Sequence, residues 1–293
     1  MPPKPLLAAK VTEDQLSSLT YPLLASPKID GIRALSSDGR AFSRSGIPLP
    51  NDYIQQCFSA LQHDTLDGEL VIGPPNVPDT YKSTRGPVMA YLGEPDFTYW
   101  IFDQWRGPSY AERALALREY EKIPWIQVVK QKLVRSTTEV LAFEEYCISL
   151  GYEGIMLRSP KALYKQGRST LREAILLKLK RFLDDEAEII GWEERMHNSN
   201  ENIGNAFGYA KRSSEAAGLL GHGDLGAFRV RMVTGKFAGV ECKVGTGFTA
   251  AERVSFWRMI EAMLGFICTI KWFEPGSDKA PRLPSWKGLR GNE

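Results

Sequence analysis

Cysteine and histidine are scarce in this 293-residue chain, with four of the first and three of the second. Cys57, Cys147, Cys242 and Cys268 form no CxxC pair, which argues against a thiolate zinc site. They read as reduced, packed thiols of an intracellular, cytoplasmic-type compartment. His63, His197 and His222 are equally scattered, so chemistry built on imidazole fits poorly. No apolar run approaches the roughly 20 residues of a membrane span. The start, Met1-Pro2-Pro3-Lys4-Pro5-Leu6-Leu7, lacks the apolar region and cleavage site of a signal peptide. A strong charge of either sign is missing too: the net charge is +2, so any polyanion surface must come from local clustering. The GxxxxGK[ST] pattern of a P-loop is absent, as is any internal repeat.

What remains is an ordinary globular composition, 43% hydrophobic and 25% charged, long enough for one large or two ordinary domains. Its organising stretch is Lys28-Ile29-Asp30-Gly31-Ile32-Arg33. The apolar residues 21–25 before it read as a short strand that delivers Lys28 from the core. Gly31 permits close approach or positive φ, and Arg33 offers a planar, permanent cation for phosphate. A lysine among other cations loses its proton more easily and can act as a nucleophile.

Taken in chain order, residues 1–20 read as a short amphipathic helix with a Thr12/Gln15 capping box. Residues 32–35 and 40–44 form a hairpin about Ser37-Asp38-Gly39. Asn51 caps a helix to about residue 62. Residues 66–72 make a strand carrying Asp67 and Glu69, acids that are costly on an apolar strand unless paired or liganded. Residues 97–103 make an aromatic strand ending in Phe102 and Asp103. Ser109/Glu112 opens a helix through 122, and Ser136/Glu139 another that stops near Gly151. After the 152–158 segment, Tyr-Glu-Gly-Ile-Met-Leu-Arg, the alternation in 175–180 puts Lys178 and Lys180 on one face with leucines behind. Two like charges so close call for a shared anion.

Composition then shifts. Residues 184–188 are acidic and lead into a strand over 188–192. Residues 195–226 are rich in Gly, Ser and Asn and read as a long loop, functional or partly disordered. Strands at 227–233, 237–244 and 267–273, late strands in the tail and a Thr249/Glu252-capped helix to about 263 suit a small barrel of the OB type. The fold class expected is α+β, antiparallel sheets with flanking helices over 1–182, then an OB barrel over 183–293.

The polar elements in order are Lys28/Asp30/Arg33, Arg44, Asp67/Glu69, Phe102, Glu153/Arg158, Arg168 and Lys178/Lys180. One amine nucleophile, carboxylates for a hard metal ion, a ring for a base and cations for phosphates suit phosphoryl-type transfer. In this order KIDGIR (28–33), SRSG (43–46), LDGEL (66–70), YWIFD (99–103), YEGIMLR (152–158), YKQGRSTLREAILLKLK (164–180), FGYAKRS (207–213), GTGF (245–248) and PRLPSWKGLR (281–290) resemble the ATP-dependent DNA ligases of the covalent nucleotidyltransferase superfamily, in their minimal two-domain form.

The resemblance implies a nucleotidyltransferase domain followed by an OB domain, and sealing of 3′-OH/5′-phosphate nicks in duplex DNA through lysyl-AMP on Lys28 and DNA-adenylate. It implies ATP and Mg²⁺, with Mn²⁺ as a substitute, and Glu153, Glu69 and Asp67 as metal carboxylates. Ser26 stands where many of these ligases carry an acid or amide, so a hydroxyl and backbone read the base beside Ile29. Phe102 stacks on adenine opposite Met156; Glu69 and Arg33 reach the ribose or the adjacent phosphate. Lys178 and Lys180 neutralise the α-phosphate, and Asp30 assists the nick-dependent steps. Arg44 and Arg168 contact the nick 5′-phosphate. The excursion at about 196–226, with Lys211 and Arg212, clamps DNA so that a monomer encircles it; Arg282 and Arg290 support adenylylation. The rivals are a capping guanylyltransferase or RNA ligase of the same superfamily, and a strand-binding OB module without catalysis. A nucleophile has no use in the last.

Overall fold

The computed structural model describes residues 4–77, 80–200, 202–204, 210–212, 218–273 and 279–290. The chain divides into two compact units, Met1–Lys180 and Arg181–Glu293.

The first unit holds two five-stranded sheets. In one, the strands lie in the order Ala9–Val11, Leu176–Leu179, Ile155–Arg158, Leu23–Pro27 and Lys132–Val134; the first pairing is parallel and the others antiparallel. In the other, the order is Arg40–Ser43, Ile32–Ser37, Leu66–Ile72, Phe97–Gln104 and Ile126–Val128, with the last pairing parallel. Strand parity decides what each face does. Along Phe97–Gln104, Phe97, Tyr99, Ile101 and Asp103 are buried, while Trp100 and Phe102 turn to the opposite face and pack with Ile29, Val71 and Val129. Likewise Leu177 and Leu179 join the core of Val11, Leu23, Ile155 and Leu157, which leaves Lys178 on the other face.

The expected helices are present with local differences. Asn51 caps Asp52–Phe58 by accepting from the Ile54 N–H at 2.9 Å, and Phe58 packs on Tyr99 and Trp125. Tyr110–Ala116 tightens into a 3-10 turn at Leu117–Lys122. Thr137–Ser149 stops before Gly151, whose φ is +92°. Helix Thr80–Met89 escapes the sequence reading because Gly86 and Pro87 mark a break; Thr84 anchors it by accepting from the Ile72 N–H at 3.0 Å. The amphipathic helix expected near the start is replaced by strands Leu6–Leu7 and Ala9–Val11 and a 3-10 turn, Glu13–Ser18, that keeps the Thr12/Gln15 capping box. Edge pairing wins over local propensity: Leu6–Leu7 runs parallel to Gly167–Arg168, and Ala9–Val11 parallel to Leu176–Leu179.

The main sheet of the second unit is antiparallel, in the order Glu241–Val244, Leu219–Met232, Leu183–Asn198, Ile267–Phe273, Arg282–Leu289. It stays open except where its two edges meet at a Thr246–Ser285 bridge, with the Trp286 N–H donating to the Thr246 carbonyl at 2.8 Å. This is the partly open barrel of the OB type. Phe228 and Trp286 belong to its core, and Phe248 and, from the capped helix Ala250–Arg258, Phe256 pack against them.

The loop expected over 195–226 is corrected in part. The ladder between Leu183–Asn198 and Leu219–Met232 continues out to Asn198–Leu219, and Asn202–Gly204 pairs with Ala210–Arg212. The Met196, Leu220 and His222 side chains on this ribbon are exposed. A ribbon open to water on both faces lacks the apolar alternation that marks a strand.

Candidate active site

A cleft of about 470 Å³ opens on the first unit, lined by both sheets. Lys28 follows the strand Leu23–Pro27 directly, and its N–H donates to the Gly154 carbonyl at 2.9 Å. Two glycines let the backbones close up around it. A Cβ on Gly31 would lie 2.3 Å from the Leu70 carbonyl oxygen, and one on Gly154, at φ +137°, 2.3 Å from that of Leu179. Neither carbonyl can swing away without breaking its strand.

Lys28 Nζ lies 2.6 Å from Glu153 Oε2 and 3.9 Å from Asp30 Oδ1. Lys180 Nζ reaches the same Glu153 oxygen at 2.5 Å. Burial opposes charge on Lys28, but Glu153, Asp30 and Glu69 outweigh it and raise its pKa. Burial also opposes charge on Glu153; the two lysines nonetheless hold its carboxyl at about 2. Lys180 falls to about 8, through burial first and then the charge of Lys28. Lys178 is lowered as well, by burial and then by Lys28, Arg168 and Arg44. Glu69 is pushed up to about 7 by its burial, against the pull of Arg33 and Lys28.

Ser26, Met156 and Lys178 are register partners on three adjacent strands and all line the cleft, with Ile29, Phe102, Glu69, Arg33, Arg44 and Arg168. Arg33 and Arg158 both stand by the Phe102 ring, their guanidinium carbons 4.7 and 5.7 Å from its centroid. Each is held by a fully buried aspartate. Asp67 accepts from Arg33 Nε and Nη2 at 2.5 and 2.7 Å, and Asp103 accepts from Arg158 and, at 2.7 Å, from Arg113 Nε.

A family model described as ATP dependent DNA ligase domain matches residues 5–180, and one described as DNA ligase OB-like domain matches residues 221–290. This chain belongs to the ATP-dependent DNA ligases. Among solved structures, one of Chlorella virus DNA ligase-adenylate is 30% identical, with 100% of each chain covered and a TM-score of 0.54. A structure from a study of Lig E DNA ligases is 26% identical over 98% of this chain and 99% of its own, with a TM-score of 0.70. The structure titled Pmar-Lig_Pre. is 20% identical, covers 99% of this chain and 68% of its own, and shares the fold at a TM-score of 0.70. No curated protein matches.

In this ligase Lys28, Glu69, Phe102, Met156 and Lys178 line one cleft, and Asp30, Glu153 and Lys180 cluster with Lys28 by ion pairs. Asp67 departs from its expected place as a metal ligand. It is fully buried, and Arg33 and the Tyr164 hydroxyl, at 2.7 Å, take its oxygens. Among the described residues no three His, Cys, Asp or Glu side chains form a metal cluster. The cleft wall also contains neither His nor Cys. Hard carboxylate oxygens at Glu69 and Glu153 are what Mg²⁺ or Mn²⁺ takes when phosphate and water supply the rest.

Arg168 donates to the Ala8 carbonyl at 2.7 Å. Lys211 and Arg212 lie on the hairpin strand Ala210–Arg212 in the second unit, whereas 205–209 and 213–217 of the expected clamp lie outside the described residues. Arg282 stands 5.8 Å from the Phe273 ring centroid and Arg290 pairs with Glu186, both within the second unit. Sequence reasoning missed Tyr81, Tyr110 and Tyr164; the first two line the cleft. Helix Thr80–Met89 itself was not legible, and a tyrosine in a turn carries no spacing signal.

Proposed function

We propose that this ligase seals nicks bearing a 3′-hydroxyl and a 5′-phosphate in duplex DNA, in three transfers that begin on Lys28. The observation that carries the reading is the pairing of Lys28 and Lys180 with one oxygen of Glu153, with Lys28 on the wall of a cleft that Phe102 also lines. Lys28 gives up a proton, and its Nζ forms a bond to the α-phosphorus of ATP as the bond to pyrophosphate breaks. Glu153, held ionised between the two lysines, orients the amine, and the proton passes to solvent. Lys178 and Lys180 meet the charge that develops on the α-phosphate, and Phe102 and Met156 flank adenine.

The 5′-phosphate at the nick then attacks the same phosphorus and the P–N bond breaks, returning Lys28 to an amine. Last, the 3′-hydroxyl oxygen attacks the activated 5′-phosphorus, losing its proton as AMP leaves; Asp30 assists here. Glu153 and Glu69 would hold Mg²⁺, which supplies neutralisation of phosphate charge. Arg44 and Arg168 fit the nick phosphate, and the excursion near 196–226, with Lys211 and Arg212, fits a clamp by which a monomer encircles the duplex. Arg282 and Arg290 are the support for the first transfer. An intracellular setting suits a consumer of ATP with four free cysteines.

The test is incubation with magnesium and α-labelled ATP or GTP, followed by a denaturing gel. Label from ATP alone, chased off by nicked duplex, is expected; label from GTP would move the reading to capping. Lys28→Ala should form no enzyme-AMP yet seal a pre-adenylylated nick above background. Normal labelling of that variant would remove Lys28 as nucleophile.

A further inference from the structure

Tyr164 is not one of the residues that line the cleft, yet its hydroxyl makes two directed bonds. It donates to Asp67 Oδ2 at 2.7 Å and accepts from the Leu6 N–H at 3.0 Å. Asp67 has no exposed surface, and its other contacts are the fork of Arg33, Nε at 2.5 Å and Nη2 at 2.7 Å. That same Nη2 donates to the Leu6 carbonyl at 3.3 Å. Leu6 therefore meets Tyr164 with its N–H and Arg33 with its carbonyl, and Asp67 bridges the two side chains. The ring closes on four residues from four separate stretches of chain.

Arg33 lines the cleft and stands against the Phe102 ring. A guanidinium can face a ligand in one orientation only while its fork is fixed on the other side. Asp67 alone does not fix that orientation, because a carboxylate turns about its χ2 bond. The Tyr164 hydroxyl sets this rotation: it binds the oxygen that takes Nη2 and is itself tied to the Leu6–Leu7 strand, which pairs with Gly167–Arg168. Burial pushes the phenol far above its ordinary pKa, so it stays a neutral donor.

We infer that Tyr164 is a positioning residue for the nucleotide: through Asp67 it holds Arg33 in the orientation that binds the sugar–phosphate part of ATP. This deepens the function proposed above and rests on it. Tyr164→Phe removes one hydroxyl and leaves the ring's packing. The KM for ATP in enzyme-AMP formation should rise roughly three- to tenfold, the reach of one ordinary hydrogen bond that acts on the ligand only through Asp67 and Arg33, with kcat within about twofold. A cycle with Arg33→Gln separates positioning from general support. In the Arg33→Gln background, adding Tyr164→Phe should change KM by less than about 1.5-fold. Asp67→Asn, which breaks the chain one link earlier, serves as the second background if Arg33→Gln does not melt cooperatively.

An unchanged KM in Tyr164→Phe overturns the inference. So does a KM rise of equal size in both backgrounds, which is the signature of a merely structural residue. If the wild-type chain itself forms no enzyme-AMP from ATP, the failure lies with the proposed function instead.

Discussion

Replacing Asp103 by alanine isolates the cost of the buried charge that frames the cleft. Asp103 is 0% exposed, and its partners Arg113 and Arg158 are 2% and 5% exposed. The carboxylate accepts from Arg113 Nε at 2.7 Å and Nη2 at 3.3 Å, and from Arg158 Nη1. The trio carries a net charge of +1; without Asp103 two guanidiniums remain buried with +2 between them. Arg113 keeps bonds to the Pro108 and Ala162 carbonyls, which soften the loss but supply no negative charge. Breaking a buried pair costs about 3–5 kcal/mol, a large part of the roughly 5–15 kcal/mol that holds a domain together. Urea unfolding of the full chain reads this, with the capacity for enzyme-AMP formation marking the first unit. A drop of that size at unchanged slope is expected, together with slower adenylylation, since Arg158 lies against Phe102 and Tyr110. A loss under about 1 kcal/mol would refute the reasoning, because it would mean that water or backbone already neutralises both guanidiniums. Asp103→Asn, which keeps one acceptor oxygen, should fall between the two.

Two more outcomes follow from geometry. Gly31→Ala must move the Leu70 carbonyl, 2.3 Å from the new methyl; about 1–3 kcal/mol of overpacking and at least a tenfold slower enzyme-AMP formation are expected, and a wild-type rate would show that the strands can separate freely. Ser199 already donates its N–H to the Gly218 carbonyl at 2.8 Å, so a two-residue Asn-Gly turn can replace 200–217. That variant should label Lys28 normally but bind nicked duplex more weakly and with a shallower salt dependence; equal nick affinity would dismiss the clamp.

Much of this site was readable because its parts are local. KIDGIR fixes a strand exit, a close-approach glycine and two charges within six residues, and the alternation in 176–179 separates Lys178 from the leucines by parity alone. Capping boxes at Ser109 and Thr249 located helix starts for the same reason, whereas the one at Thr12 opens only a 3-10 turn. What stayed illegible is non-local. Asp67 and Glu69 share a strand face, and only the partners brought in by Tyr164 and Arg33 separate a structural acid from one at the cleft. The first residues form strands because edges of two sheets are there to receive them, and no window of sequence contains those edges. The ribbon of the second unit reads as a loop in sequence because water on both sides erases the apolar alternation that marks a strand.

The electrostatics of the cleft turn on one contrast. Arg33, Arg113 and Arg158 each have a buried aspartate within hydrogen-bond distance, so their charge is answered inside the protein. Lys28 and Lys180 divide a single carboxylate oxygen. Lys178 sits beyond it, its charge disfavoured by burial and by the surrounding cations Lys28, Arg168 and Arg44. Folding therefore assembles a cluster whose positive charge exceeds its own counter-charge, a cost the folded state bears continuously. An anion at the cleft returns that cost on binding, because each phosphate oxygen relieves repulsion among several cations at once. Arg113 and Arg158 have their charge answered within the fold, whereas the lysines keep charge that an anion can answer. A ligand with a polyphosphate should accordingly stabilise the first unit more than its nucleoside does, by mass action on a site that the unfolded chain does not possess.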